Sequence, residues 1–391
     1  MSLAFKYGIN RTLSEGFELS LNMAVNFMVR PDCAYYKGDK PCRFKRLCEG
    51  CTNYKPIRQK ILVIKCRAQG DVLRTTALLP GLKRKYPESH ITWVVDQESV
   101  ELLENSPGID RVLPFTFENT LPLLVEKFDA LYSLDKEPEL TALATKISSL
   151  RKYGFGLNEF GNLMIFNEAS AYALRLGIDD HLKFHENQKT YQEIVSEAAE
   201  LEYRKDDYVF ELPEETKQKA LAFFRKRRIP KHKINVGLNT GAGTKFKTKQ
   251  WPKEYFLKLI PLLATKLKAN VFLLGGGRET AMNAEIKKKS KVKLYDTGTD
   301  NTLLEFAGYL SLMDITVCSD TLAMHLALAL KKKTVVLFGS TCPQEIELYG
   351  RGVKLFAGSA CAPCYRQTCP DMICMKALTP EQVFKAVRDS V

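Results

Sequence analysis

The chain has 391 residues, enough for two domains that each bury a core, and its apolar and charged fractions of 45% and 26% are those of an ordinary globular protein. Lys and Arg outnumber Asp and Glu by 58 to 45, and the formal charge of +13 favours an acidic partner such as a nucleotide, a phosphorylated glycan, an anionic membrane surface or nucleic acid. No apolar run approaches the roughly 20 residues that span a bilayer, and polar residues interrupt the amino terminus where a signal peptide has its apolar core. We therefore expect a cytoplasmic protein, with contact to the inner face of the cell membrane left open.

Residues 1–56 are predicted to form an extension ahead of the first domain. Apolar residues from Phe17 to Met28 recur at helical spacing, which predicts one amphipathic helix that ends before Pro31. That pattern suits a helix packed on the domain behind it and also a helix that lies on a membrane surface. The polar face is not strongly basic, which favours the packed helix.

Eleven cysteines in a reducing compartment favour metal binding or catalysis over disulfides. Four of them lie in the extension among basic residues that favour thiolates, and four thiolates can enclose one tetrahedral zinc or iron ion. Four more lie in the tail and form a second candidate metal site, while free or transiently oxidised thiols are the alternative. The two groups are Cys33, Cys42, Cys48 and Cys51, and Cys361, Cys364, Cys369 and Cys374.

The first domain, residues 57–190, is predicted to be a doubly wound α/β sheet. It opens with a near-continuous apolar strand at Lys60–Lys65, and a helix follows from Val72 to Tyr86, broken only by Pro80 and Gly81. A second strand comes at His90–Val95. The alternation continues to about residue 156, which is typical of parallel sheets. Asp71 follows Gly70 just beyond the first strand, at the end of the sheet where such folds keep their chemistry, so Asp71 is a candidate catalytic residue.

The second domain, residues 191–375, repeats the pattern after a charged, helical stretch that begins near His185. Its first strand, Lys233–Leu238, leads into a loop of small residues, 239–244, followed by several lysines and by Trp251-Pro252. Such a loop can surround a phosphate with backbone N–H groups and ammonium charges. A later strand ends in the glycines 275–277, a turn that permits close approach of a ligand.

Residues 315–330 read as a strand, a sharp turn and a buried helix. Asp320 and Thr321 lie at the turn, where the unpaired N–H groups and the dipole of the helix favour a negatively charged ligand. His325 follows Thr321 by one helical turn and can face the same crevice. The alternative interpretation is a helix cap and a core histidine whose hydrogen bonds are satisfied.

Four motifs in this order resemble the family 9 glycosyltransferases, the ADP-heptose:lipopolysaccharide heptosyltransferases. The motifs are Gly70-Asp71, Lys249-x-Trp251-Pro252, Ser319-Asp320-Thr321-x3-His325 and Leu337-Phe338-Gly339-x-Thr341-x-Pro343. The resemblance implies the GT-B architecture, in which two Rossmann-like domains face a cleft and the second domain binds the donor. It also implies a last helix, in residues 376–391, that crosses back to the first domain.

The resemblance assigns roles to individual residues. Asp71 matches the general base, Lys249 a ligand of the donor phosphate, and Glu279 a contact of the adenosine ribose. Two departures are visible: Leu322 stands where the family has a glycine, and the threonine-rich phosphate loop does not align clearly. The remaining candidates for donor binding are Thr240, Thr244, Gly275, Gly276, Asp320, Thr321 and His325.

The expected activity is inverting transfer of a heptose or related sugar from an ADP-activated donor to a hydroxyl of a lipopolysaccharide-core-like or other glycan. A carboxylate would take the acceptor proton and cations would stabilise the departing diphosphate, so we expect no cofactor for the chemistry and at most a structural zinc or iron. Another nucleotide sugar or a protein acceptor is the first alternative. The second is a nonenzymatic metal–cysteine module that binds nucleic acid, but dispersed basic residues and the lack of a nucleic-acid motif lead us to expect no nucleic-acid partner.

Overall fold

The computed structural model describes residues 28–243 and 245–391, and the chain divides into a small compact unit that ends at Gln59 and a large one, Lys60–Val391. The amphipathic helix expected before Pro31 therefore lies, except for Met28, outside the described residues. In the described part of the chain, no helix is both long enough and apolar enough to cross a membrane.

The small unit is held by turns and by stacked cations. The beginning and the end of its described part are joined where Ala34 N–H donates to the carbonyl of Lys55 and Ile57 N–H donates to that of Asp32, both at 2.8 Å. The Arg43 guanidinium lies 4.5 Å from the centre of the Tyr35 ring, an arrangement that supplies cation–π attraction. These contacts order a segment that has few apolar side chains with which to form a core.

Helices and strands alternate through the large unit, whose first strand begins at the boundary residue Gln59. The strands are β1 (Gln59–Ile64), β2 (Ser89–Val95), β3 (Arg111–Pro114), β4 (Lys127–Ser133), β5 (Ser148–Leu157), β6 (Leu163–Ile165), β7 (Asn235–Asn239), β8 (Asn270–Leu274), β9 (Tyr295–Asp296), β10 (Ile315–Ser319), β11 (Lys333–Phe338) and β12 (Gly352–Phe356). The helices are α1 (Gln69–Thr75), α2 (Leu79–Lys85), α3 (Val100–Leu103), α4 (Phe117–Thr120), α5 (Pro138–Lys146), α6 (Ala171–Arg175), α7 (Tyr191–Ala198), α8 (Glu214–Lys226), α9 (Lys253–Pro261), α10 (Thr280–Lys289), α11 (Leu303–Ser311), α12 (Leu322–Ala329), α13 (Ile373–Lys376) and α14 (Pro380–Ser390).

The two sheets have the same topology. The strand order is β3-β2-β1-β4-β5-β6 in the first sheet and β12-β11-β10-β7-β8-β9 in the second, and only β6 runs antiparallel to its neighbour. Each order reverses at its centre, between β1 and β4 and between β7 and β10, which is the Rossmann arrangement. The expected α/β fold with two Rossmann-like domains, the GT-B architecture, is confirmed. In such sheets ligands bind beyond the carboxyl ends of the strands at the reversal point.

Local structure departs from the sequence-based expectations in two places. The helix expected from Val72 to Tyr86 is interrupted by a 3-10 turn at residues 76–78, and Pro80 then lies in the first turn of α2, where its missing N–H costs nothing. The charged stretch that joins the two sheets is helical only in part, because residues 199–213 run without a helix or strand between α7 and α8.

The last helix does not follow the expected path back to the first sheet. The buried side chains of α14, Val383 and Val387, belong to the apolar core under the second sheet. They pack there with residues of α9 and β11, such as Leu259 and Val335. An amphipathic helix takes the position in which its apolar face is covered, and the second sheet supplies that cover.

Candidate active site

The turn between β1 and α1 is built to present Asp71. Ala68 precedes the helix with a φ of +59°, a left-handed conformation that costs free energy in a residue other than glycine, and its carbonyl accepts from Asp71 N–H at 2.8 Å. Below the turn, the buried ammonium of Lys65 pairs with Asp135 and also donates to the carbonyl of Arg67 at 2.9 Å. A strained turn held by a buried ion pair gives Asp71 a fixed position.

The carboxylate of Asp71 is paired within its own helix. The distance from Arg74 Nη2 to Asp71 Oδ1 is 2.9 Å, and the guanidinium carbon of Arg74 lies 3.6 Å from the ring centre of Tyr191. Burial raises the pKa of the Asp71 carboxyl, but the positive charges of Arg74 and Lys65 and the neighbouring His325 outweigh it and leave the pKa below its usual value. Asp71 is therefore ionised at neutral pH.

A second carboxylate lies at the corresponding end of β10. Lys249, carried by the loop that follows β7, donates to the carbonyl of Asp320 at 2.8 Å and to its Oδ2 at 3.0 Å. Burial raises the pKa of Asp320, but the charge and the hydrogen bond of Lys249, together with more distant positive charge such as that of Arg74, leave the pKa below its usual value, so the pair is ionic. The Ser319 hydroxyl, which donates to the carbonyl of Lys249 at 2.7 Å, ties the same two loops together. Thr321 then begins α12 as its N-cap residue.

The two turns meet where α1 and α12 pack against each other. A Cβ on Gly70 would lie 2.5 Å from Cδ2 of His325, so only a glycine permits this approach. The His325 ring is buried, and its Nδ1 lies 3.1 Å from the hydroxyl of Tyr208. Burial, reinforced by the Arg74 charge, lowers the pKa of His325 to about 4. His325 is thus a neutral residue between the two charged turns and does not line an open crevice.

Beside this contact lies an open cavity of about 380 Å³ at the carboxyl ends of the second sheet. Gln69 contributes from the first domain, whereas Glu279, Phe306 and Thr321 contribute from the second. The cavity has an apolar side formed by α11 and a polar side formed by the glycine turn after β8 and the amino terminus of α12. A nucleotide needs both kinds of wall, for its base and for its ribose and phosphates.

The structure separates the remaining sequence candidates. Glu279 lines the cavity and lies close to Gly241, where a Cβ would be 2.2 Å from Glu279 Oε1, so a side chain at Gly241 would displace the Glu279 carboxylate. Gly275 and Gly276 also line it, and the N–H of Gly276 donates to Glu279 Oε2 at 2.8 Å. Thr240 is buried and bonds Asn283 Oδ1 at 2.6 Å, so its hydroxyl is occupied inside the protein. Thr244 lies outside the described residues.

Several residues of the site were not predicted from the sequence. Arg74 had a usable signal, because a cation three residues after an acid in a helix lies on the same face. Lys65 also had one, as a charge at the end of an otherwise apolar strand. Tyr191 and Tyr208 gave no local signal, since both reach the site from the connection between the two domains.

Each group of four cysteines borders one cavity. The first group lines a cavity of about 560 Å³ in the small unit, and the second lines one of about 30 Å³ beside Thr248 and Ser340. Among the described residues, however, no three or more His, Cys, Asp or Glu side chains are arranged so that they could hold a metal ion. The geometry gives the expected zinc or iron no support, and metal binding stays a prediction.

That prediction can be tested on the first group. If its thiolates hold one structural zinc or iron ion, protein purified without chelator contains metal in a fixed ratio, because a structural metal contributes on the order of 10 kcal/mol to folding. Elemental analysis of the wild type beside Cys48→Ser/Cys51→Ser makes the comparison, with Cys66→Ser as the control. Cys66 is buried under the first sheet, outside both groups. Metal that is absent, or unchanged in the double variant, would show that these thiols are free.

Neutral burial of His325 predicts that stability depends on pH. The pKa is lowered in the folded state, so the unfolded state binds the proton more tightly, and stability is lost as pH falls from about 6.5 towards 4. We expect the free energy of unfolding to fall by about 2 kcal/mol between pH 7 and pH 5 on account of this residue. Urea titrations at several pH values measure it, and His325→Gln should remove that part of the slope. His181, whose side chain is 73% exposed, supplies the control His181→Gln. Equal slopes in the wild type and His325→Gln would contradict the prediction.

Comparison with known proteins identifies the family. The profile of glycosyltransferase family 9 (heptosyltransferase) matches residues 166–373, more than half of the chain. Lipopolysaccharide heptosyltransferase 1 of Campylobacter coli is 24% identical over 306 residues, which cover 72% of this chain and 84% of that protein.

Solved structures share the fold. A family 9 glycosyl transferase from Veillonella parvula superposes with a TM-score of 0.69 at 18% identity, covering 85% of this chain and 97% of that one. The E. coli ADP-heptose lps heptosyltransferase II superposes with a TM-score of 0.62 at 16% identity, covering 84% and 98%. The family match extends over the second Rossmann-like domain with its Lys249–Asp320 pair and its cavity. The chain belongs to glycosyltransferase family 9 and is a glycosyltransferase.

Proposed function

We propose that this enzyme is an inverting heptosyltransferase that moves a heptose from an ADP-activated donor to a hydroxyl of a lipopolysaccharide-core acceptor. The observation that carries the proposal is the meeting of the ionised Asp71 with the Lys249–Asp320 turn across the Gly70–His325 contact. The names of the Campylobacter coli and E. coli relatives support the sugar, the donor and the acceptor. A lipid-linked acceptor would bring a cytoplasmic enzyme to the inner face of the membrane.

The donor fits the cavity of the second domain, which we assign to residues 191–375. Phe306 offers an apolar surface to the base, and Glu279 offers carboxylate oxygens to the ribose hydroxyls. The diphosphate would lie between Lys249 and the first N–H groups of α12. Because Lys249 already neutralises Asp320, the second carboxylate does not repel the phosphates.

The acceptor is assigned to residues 57–190, and Asp71 is its base. The oxygen of the acceptor hydroxyl forms a bond to the anomeric carbon while the bond from that carbon to the diphosphate oxygen breaks on the opposite face. Asp71 takes the hydroxyl proton, and ADP leaves with the electron pair of the broken bond. Lys249 and the amino terminus of α12 stabilise the negative charge that develops on the leaving group. Protein charges thereby do what a divalent metal does in other transferases.

Removal of the base should lower turnover without affecting the donor site. Asp71→Asn keeps the shape of the side chain but cannot accept the proton, so kcat should fall at least about 100-fold while the Kd for ADP stays within about twofold. Asp110→Asn is the matched control, because Asp110 lies at the opposite end of the first sheet, where it accepts from Ile91 N–H at 2.9 Å. Normal turnover in Asp71→Asn would remove Asp71 from the mechanism.

Removal of the Lys249 charge should act on donor binding. Lys249→Ala loses a charge-assisted contact and leaves Asp320 unpaired beside the phosphates, so ADP affinity should fall about 10- to 100-fold, and more at low salt. Isothermal calorimetry measures the ADP affinity. The control is Lys247→Ala, because Lys247 is exposed and lies in the same 3-10 turn as Lys249, Lys247–Lys249. The wild type should bind ADP more tightly than GDP or UDP. Equal ADP affinity in the two variants would exclude the assigned role of Lys249, and tighter binding of GDP or UDP would indicate a different donor.

A further inference from the structure

The Asp71 carboxylate is held asymmetrically. Nη2 of Arg74 lies 2.9 Å from Oδ1 in an ion pair, so the guanidinium approaches one of the two carboxylate oxygens. The Asp71 side chain is 38% exposed, but that of Arg74 is only 12% exposed. One oxygen is therefore fixed from inside the protein, and the other is available on the cleft side.

Arg74 is itself fixed by its surroundings. Its guanidinium carbon lies 3.6 Å from the ring centre of Tyr191, and the hydroxyl of Tyr191 lies 2.7 Å from Oγ1 of Thr75. Thr75 in turn donates to the carbonyl of Asp71 at 2.6 Å, which closes a ring of contacts around the first turn of α1. The buried Nε of Arg74 has no hydrogen-bond partner among the described residues, and Nη2 is the guanidinium nitrogen that lies 2.9 Å from the carboxylate. A planar cation stacked on an aromatic ring loses little further freedom when it orients a carboxylate.

We propose that Arg74 is a positioning residue of the reaction: stacked on Tyr191, it holds Oδ1 of Asp71 so that Oδ2 faces the acceptor hydroxyl. The inference rests on the proposed function, in which Asp71 is the base. It assigns Arg74 and Tyr191 a role in turnover that is separate from donor binding, since Arg74 lies in α1, Tyr191 lies in α7, which packs against α1, and neither residue lines the cavity assigned to the donor.

Arg74 has two effects on Asp71 that can be separated. The guanidinium group, held in place by its surroundings, fixes the direction of the carboxylate. Misplacement of a base by even a fraction of an ångström lowers the rate. The charge of Arg74 keeps the carboxylate ionised, together with the Lys65 ammonium from β1, against the repulsion of Asp320. His325 from α12 faces the same carboxylate but is neutral. Loss of the charge should make Asp71 accept a proton from water at higher pH and so move the acid limb of the pH–rate profile upward.

Three variants test these effects. Arg74→Gln removes both the positive charge and the planar guanidinium group. Arg74→Lys keeps the charge without the guanidinium, and Tyr191→Leu removes the aromatic ring under Arg74. The control is Arg84→Gln, because Arg84 also pairs with an aspartate, contacting both oxygens of Asp206 at 2.9 and 2.6 Å. Arg84 lies near the end of α2 and has no contact with Asp71 among the bonds described here. Each variant is assayed for kcat/KM against pH with ADP-heptose and a soluble core oligosaccharide, and for ADP affinity by calorimetry.

We expect the acid limb of Arg74→Gln to move up by about one pH unit, with kcat at its plateau at least about tenfold below the wild type. Arg74→Lys should restore the acid limb but not kcat, and Tyr191→Leu should lower kcat without moving the limb far. ADP affinity should be unchanged throughout. If Arg74 had only a structural role, the acid limb of the pH–rate profile would not move. The lysine and glutamine variants would then also not differ in which of the two quantities, acid limb or kcat, is affected.

The inference is overturned if Arg74→Gln and Arg74→Lys match Arg84→Gln in both kcat and acid limb. If Arg74→Gln does not fold, Arg74→Lys decides, because it keeps the buried charge: normal kcat in that variant overturns the proposal. An NMR titration with 13C-labelled aspartate carboxyl groups, in which Asp71 is identified by the signal lost in Asp71→Asn, keeps the proposed function separate. If the titration midpoint of Asp71 moves in Arg74→Gln but Asp71→Asn retains turnover, the electrostatic contact exists but Asp71 is not the base. The positioning role of Arg74 is then rejected together with the role of Asp71.

Discussion

The close approach of α1 and α12 at Gly70 and His325 is the constraint on which the site depends. Two Rossmann-like domains place their chemistry beyond the carboxyl ends of separate sheets, so a base in one can act on an acceptor that attacks a donor bound by the other only if those ends come together. Gly70 permits this because any Cβ there would lie 2.5 Å from the His325 ring. His325 completes the contact as a neutral residue, because burial lowers its pKa to about 4 and a buried charge there would be costly.

The charges around that contact are arranged in pairs. Lys65 pairs with Asp135, Arg74 with Asp71, and Lys249 with Asp320, so a group of six buried or half-buried ionic side chains carries no net charge. Pairing is what makes their burial tolerable, because each isolated charge would cost several kcal/mol or change its protonation state. It also leaves the partial positive charge of the α12 amino terminus unopposed, which is the feature that a diphosphate would meet.

The sequence was sufficient for the positions of the two carboxylates and not for what surrounds them. Asp71 and Asp320 could be predicted because buried strands, sharp turns and the rule of carboxyl ends are local patterns. Tyr191 and Tyr208 could not, because they reach the site from α7 and from an irregular connection whose path depends on tertiary packing. The cysteine spacings were less informative for the same reason: sequence distance brings thiols to one cavity but does not orient their sulfur atoms. The last helix packs its apolar face against the second sheet, and the sequence alone does not show which of the two sheets has an uncovered surface for it.

The two ion pairs at the cleft differ in a way that bears on how the domains are used. Asp71 is paired by Arg74, which lies three positions further along the same helix. Asp320 is paired by Lys249 from a different loop, and that loop rests on others, because the Thr248 hydroxyl bonds Ser340 Oγ at 2.8 Å and the carbonyl of Arg366 at 2.6 Å. Cys364 and Tyr365 N–H both donate to the carbonyl of Ser340, at 3.0 and 2.8 Å. The proposed base is thus paired within one helix, whereas the proposed donor site is held by a chain of contacts that extends into the cysteine-rich tail. A change in the tail would therefore reach Lys249 before it reached Asp71.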